Sequence, residues 1–175
     1  MLLLTVRPGG KENVNWNDGL LISILVRYPE IATINFDPVG HYLKFSFISS
    51  TVLEPEYFDR IKKQAVDSLE VFNHLEGRKT NVVEINRLDC DQLNIIEVQR
   101  DLDTLAHEEI ALIVKLARML LGENLVTENA DSNLDDDQFF QEEIIEYMLE
   151  SMKGSNSEKS LFAFREEDRV LVFNK

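Results

Sequence analysis

From Ile110 to Leu121 the chain reads Ile-Ala-Leu-Ile-Val-Lys-Leu-Ala-Arg-Met-Leu-Leu, a helical stretch apolar on nearly every side. A helix lying on a protein surface needs one apolar stripe, so a helix apolar all round has to be covered on both faces. Either the last part of the chain folds over it, or another subunit does. The stretch does not read as a membrane span. Lys115 and Arg118 interrupt it, and it is shorter than the ~20 residues that cross a bilayer.

The elements around this helix alternate. Leu2 to Arg7 reads as a strand closed by Pro8-Gly9-Gly10, followed by a helix with Asn15 as N-cap and Asp18 at the third helical position. Trp16, Leu20, Leu21, Ile24, Leu25 and Tyr28 form its apolar side, and Pro29 stops it. Thr33 to Phe36 and Tyr42 to Ile48 form a hairpin around Asp37-Pro38-Val39-Gly40, where Pro second and Gly fourth suit a type I turn. The alternation of Leu43, Phe45 and Phe47 with Lys44 and Ser46 indicates one core-facing side. A helix over Pro55 to Glu76 carries the stripe Phe58, Ile61, Ala65, Leu69, Phe72 and ends at Gly77. Asn81 to Leu88 and Leu93 to Gln99 form a second hairpin around Asp89-Cys90-Asp91. The all-round apolar helix is expected over Asp103 to Leu121 and a fourth helix over Asp137 to Met152. A terminal hairpin pairs Leu161 to Phe164 with Val170 to Phe173.

This order predicts an α+β protein with a mainly antiparallel sheet. Its first six elements match the βαββαβ order of a ferredoxin-like split βαβ unit, followed by two further helices and a C-terminal β-hairpin. With 175 residues, one domain over 1–175 is expected: a βαββαββ core over 1–100, then a helical segment, an acidic loop and the terminal hairpin over 101–175.

The net charge of −14 is concentrated. Between Met119 and Met152 there is no Lys or Arg. The window holds ten acids: Glu123, Glu128, Asp131, Asp135, Asp136, Asp137, Glu142, Glu143, Glu146 and Glu150. The rest of the chain carries only −4. Such a patch is the solvated side of a loop and helix, a docking face for a basic partner, or a cation site. The cation reading rests on Asp131, Asn133, Asp135 and Glu142, which put oxygen ligands at loop positions one, three, five and twelve of an EF-hand-like loop over 131–142. Asp136 stands where that loop requires Gly, and Gln138 where it usually has an apolar residue.

Other motifs fall short of a chemistry. Gly9-Gly10-Lys11 lacks the earlier Gly and the following Ser or Thr of a phosphate loop. His107-Glu108-Glu109 has Ala111 where a zincin helix needs its second His, and Asp103 is expected to pair with His107 one turn away. His74 sits where it favours a helix C-terminus, and His41 lies beside a turn. Cys90 is flanked by Asp89 and Asp91, which disfavour its thiolate; as the lone cysteine it makes no disulfide within the chain. No Gly-x-Ser-x-Gly elbow or dinucleotide fingerprint occurs, so no catalytic, cofactor-binding or metal-binding residue is assigned. The charge argues against nucleic acid as a partner. The expected function is a non-catalytic interaction or regulatory module in the cytoplasm. It self-associates as a dimer and offers an acidic face to a basic protein, with no membrane contact. An enzyme or small-ligand binder with a loop-built site, or a divalent-cation binder at 131–142, are the alternatives.

Overall fold

The computed structural model describes residues 16–127, 135–154, 159–167 and 169–174, with the side chains of 16 and 135–140 left aside. The expected strand 2–7, Asn15, Lys11 and the loop 128–134 lie outside the described residues.

The elements are α1 (Trp16–Arg27), β1 (Thr33–Asp37), β2 (Tyr42–Ser49), α2 (Pro55–Leu75), β3 (Val83–Cys90), β4 (Leu93–Asp101), α3 (His107–Leu121), α4 (Asp135–Lys153), β5 (Leu161–Glu166) and β6 (Arg169–Asn174). The six strands form one antiparallel sheet in the order β3-β4-β2-β1-β5-β6. Both β2 and β3 run antiparallel to β4, which lies between them, so β2 and β3 are parallel and α2 is the crossover. β2, α2 and β3 with β4 between the two strands thus form a split βαβ unit, while the first strand of the expected βαββαβ order lies outside the described residues.

Strand alternation decides which face is covered. Ile34, Phe36, Leu43, Phe45, Phe47, Ile85, Ile96, Val98, Leu161, Ala163 and Val172 point to one side and are almost wholly buried. Register places them together: Ile34 opposite Phe45 and Ala163, Phe45 opposite Val98, Phe47 opposite Ile96. The helices pack on this side, α2 and α3 over the β3-β4-β2 half and α1 over the β1-β5-β6 half, with α4 packed against α1 and α3. Among the described residues no helix packs on the opposite face.

The all-round apolar helix is covered by its own chain. Ile110, Ile113, Val114, Leu116 and Leu121 are buried, and α3 lies between α2 and α4, with Lys115, Arg118 and Met119 left outside. The all-round apolar pattern does not by itself call for a second subunit.

Several boundaries differ from the expected ones for local reasons. α3 starts at His107, not Asp103, because Asp101 caps a 3-10 turn over Leu102–Thr104 by accepting from Thr104 N. Asp103 consequently leaves His107 and pairs with His41, its Oδ1 3.0 Å from Nδ1. The second hairpin turns at Asp91 and Gln92, with Asp91 at φ 54°, so Cys90 is the last strand residue and faces Leu93. β5 and β6 extend to Glu166 and from Arg169, which leaves a tighter connection than the five-residue link expected. In the first hairpin the Asp37 carboxylate accepts from Val39 N and Gly40 N at 2.8 and 3.1 Å. Those bonds, Gly40 foremost, hold its carboxyl below the ordinary range. A Cβ on Gly40 would come within 2.7 Å of the Tyr42 ring, which is why glycine closes this turn.

Candidate functional site

The acidic window resolves into an outward stripe and an inward bridge. On α4, Glu143, Glu146 and Glu150 are exposed at helical spacing, with Tyr147, 64% exposed, among them. Lys153 reaches back to Glu150 at 2.9 Å. Ile145, Leu149 and Met152 bury the opposite side of α4, mainly against α1, so the stripe is held on a packed helix. Glu142 does not belong to the stripe. Its Oε1 accepts from Arg27 Nη2 at 2.9 Å and ties α4 to the end of α1.

That bridge bears on the EF-hand-like reading. Asp131 and Asn133 lie outside the described residues, while Asp135 to Asp137 already belong to α4 and Glu142, the twelfth position, is engaged by Arg27. Among the described residues no group of three or more His, Cys, Asp or Glu side chains is placed to hold a metal ion. His41, His74 and His107 sit on separate elements, His74 exposed in the last turn of α2. Cys90 is exposed at its hairpin tip.

A second polar centre was not singled out by the sequence reading. Arg100 lies on the core-facing side of β4 and is wholly buried. Its guanidinium meets Glu109 of α3 through two parallel bonds, from Nε to Oε2 and from Nη2 to Oε1, the latter 2.8 Å. Nη1 bonds the Asp101 carboxylate, and also Val82 O and Thr104 Oγ1, both at 3.1 Å. Asn73 of α2 donates to Glu109 Oε1 at 2.8 Å and accepts from Arg78 Nε at 3.2 Å. Burial raises the Asp101 carboxyl, but the Thr104 hydroxyl, the Val82 and Asn81 amides and Arg100 outweigh it, so its pKa falls below the usual range. Two arginines and two carboxylates balance in charge. Every oxygen of Glu109 and Asp101 is occupied, so this cluster presents nothing to a substrate. It pins α2, β4 and α3 together. The signal was present in the alternation: Arg100 continues the core-facing series Ile96, Val98, and Glu109 stands beside Ile110 in the apolar helix.

A third centre joins α1, α3 and α4. Arg118 Nε lies 2.8 Å from Glu30 Oε2, and the Arg27 guanidinium sits 4.8 Å from the Tyr28 ring centroid. Among the described residues the buried Tyr28 hydroxyl has no hydrogen-bond partner, and neither have Arg27 Nε and Glu30 Oε1. Burial pushes the Tyr28 pKa up to about 12, against the pull of Arg27 and with the help of Glu142, Glu30 and Glu108.

Two open depressions accompany these centres. A cleft of about 390 Å³ is lined by Glu70, Asn73, His74, Arg78, Lys79 and Thr80. A groove of about 370 Å³ lies where β1 begins, between Ile48, Val126, Phe162 and Phe164. An apolar core cavity of about 40 Å³ sits between α2, α3 and the sheet. No helix of the described residues is long and apolar enough to cross a membrane. No family model matches the chain, nor does any curated protein or solved structure.

Proposed function

We propose that the chain is a non-catalytic interaction module, one domain working in the cytoplasm, which offers the outer stripe of α4 to a basic protein partner and associates with itself. The observation that carries this is the set Glu143, Glu146, Tyr147 and Glu150, exposed together on one helix face whose opposite side is fixed to α1. A rigid anionic stripe with an aromatic ring in it suits Lys and Arg side chains, which take both ion pairs and ring contacts. The split βαβ unit at β2 supports a ferredoxin-like reading of that half of the sheet, which carries no function of its own.

The test is titration of a Lys- and Arg-rich peptide into the full chain and into the Glu143→Gln/Glu146→Gln/Glu150→Gln variant at low and physiological salt. Binding that weakens at least fivefold in the variant, and falls with added salt, supports the reading. Equal binding by both proteins refutes it. A second reading, a small-ligand binder, draws on the cleft beside Arg78 and Lys79. Thermal stabilisation by inorganic phosphate that Arg78→Ala abolishes would favour it.

A further inference from the structure

The last turns of α2 and the chain that follows them enclose the cleft of about 390 Å³ whose described lining is Glu70, Asn73, His74, Arg78, Lys79 and Thr80. Its size suits a small molecule, and a lining with no apolar residue excludes an apolar one. Three of the six residues are basic, in a chain whose net charge is −14. The arginine among them is fixed by its surroundings. Asn73, 1% exposed, donates to Leu69 O and to Glu109 Oε1, both at 2.8 Å, and its Oδ1 accepts from Arg78 Nε at 3.2 Å. The Arg78 guanidinium carbon also lies 5.6 Å from the Phe72 ring centroid. The loop is pinned at both ends, by Arg78 N to Asn73 O at 2.8 Å and by the Asn81 and Val82 amides to Asp101 Oδ1.

What this arginine lacks is a counter-charge. Arg27, Arg87, Arg100 and Arg118 each meet a carboxylate. Among the described residues Arg78 bonds only Asn73, and its Nη2 is buried with no hydrogen-bond partner. Capping does not explain the basic cluster either. The closing carbonyls of α2 are already taken, Phe72 O by Glu76 N, Asn73 O by Arg78 N and His74 O by Gly77 N.

We infer, building on the small-ligand reading above, that this cleft binds a small organic phosphate, with Arg78 as its anchor. The Nη1–Nη2 edge of a guanidinium is a planar fork that matches two phosphate oxygens. Lys79 adds a positive charge beside it and Thr80 a hydroxyl donor. Glu70 selects the rest of the ligand. A carboxylate in the same cleft repels a bare polyanion and accepts from a hydroxyl group, so the phosphate monoester of a polyol fits better than a polyphosphate. A nucleic-acid strand is disfavoured, because its neighbouring phosphates would lie against the surface of a strongly acidic chain.

Isothermal titration of the full chain with glycerol 3-phosphate, glycerol and succinate tests this. One site for glycerol 3-phosphate with a Kd below about 1 mM is expected, and none for glycerol; weaker binding of the phosphate overturns the proposal. Succinate bound as tightly as glycerol 3-phosphate overturns the phosphate class and leaves the small-ligand reading standing. Arg78→Lys keeps the charge but loses the fork, and should weaken binding about tenfold. Arg60→Gln removes a positive charge near the start of α2 and should leave binding unchanged. If circular dichroism shows that Arg78→Lys does not fold, Lys79→Gln/Thr80→Val carries the test. Binding that the cleft variants leave unchanged overturns the assignment of the site. The triple glutamine variant of α4 should bind glycerol 3-phosphate as the wild type does, so the acidic-stripe reading and this one fail separately.

Discussion

Removing the Glu109 carboxylate is the sharpest way to probe the buried ionic centre. Glu109 accepts three hydrogen bonds, two from Arg100 and one from Asn73, at a position with no exposure to solvent. Glu109→Ala leaves Arg100 Nε and Nη2 without their carboxylate and strips Asn73 of one acceptor. Breaking a buried pair from one side costs about 3–5 kcal/mol, because the surviving charge stays desolvated. Against a total stability of about 5–15 kcal/mol this is a fifth or more. With a urea m-value of about 2 kcal/mol/M, the unfolding midpoint followed by circular dichroism should fall by about 2 M. The matched experiment is Arg100→Met/Glu109→Leu. It replaces both charges by apolar groups of similar size, while Asp101 keeps Thr104 and the Asn81 and Val82 amides. That double variant should recover most of the loss and lie within about 1–2 kcal/mol of wild type. A Glu109→Ala cost below about 1 kcal/mol, or a double variant as unstable as the sum of its singles, would refute the picture of a pair sealed from water.

Tyr28→Phe should be neutral or stabilising by up to about 1 kcal/mol at neutral pH, since the buried hydroxyl bonds no group among the described residues. A clear loss in urea unfolding would mean that the hydroxyl holds something in place. Because Tyr28 titrates at about 12 when folded and 10.0 when free, the folded chain keeps a proton that the unfolded chain gives up, so stability falls as pH rises from about 10 toward 12; Tyr28→Phe should remove that loss. Asp101 is shifted the other way, and its contribution is present above the free carboxyl value of 3.8 and disappears as pH drops below it; Asp101→Asn should flatten the acid limb of the stability profile. Ala65→Val adds two methyl groups toward the 40 Å³ cavity, worth about 1.6 kcal/mol by transfer less about 0.6 in helix propensity, and should raise the melting temperature by about 2–4 °C; a fall would show the cavity is too tight. Calcium titration should give no binding tighter than about 1 mM, and a drop in that constant on Arg27→Ala would show that Glu142 competes between ligand and bridge.

Periodicity made most of the fold legible. The stripe Phe58, Ile61, Ala65, Leu69 placed α2 within a residue of its ends, and alternation in β2 and β4 identified their buried faces. Strand order was beyond that reading, since β1 pairs with β5 across a separation that no local pattern encodes. The start of α3 was missed because Asp101 looks like a strand-end charge until its carboxylate is seen capping Thr104. Within the acidic window, composition located the patch but could not divide it. Glu142 and Glu143 are neighbours of the same type, and only the packing of α4 on α1 sends one inward to Arg27 and the other to solvent. The Arg100–Glu109 pair was hidden for a related reason: a charge within an apolar pattern reads as noise until its counter-charge from another element appears beside it.

The central position of β1 has a consequence for how the chain is made. Thr33 pairs with Phe164, so one whole edge of β1 stays unpaired until the last hairpin has emerged from the ribosome. At about 5–20 residues per second the intervening 130 or so residues take roughly 6–25 s, far longer than a hairpin needs to form. Throughout that interval β1 and β2 present a bare strand edge next to Ile34 and Phe36. A nascent chain in this state is a template for pairing with its neighbours on the same messenger, and its yield should depend on temperature and chaperone supply during synthesis more than on the stability of the finished protein.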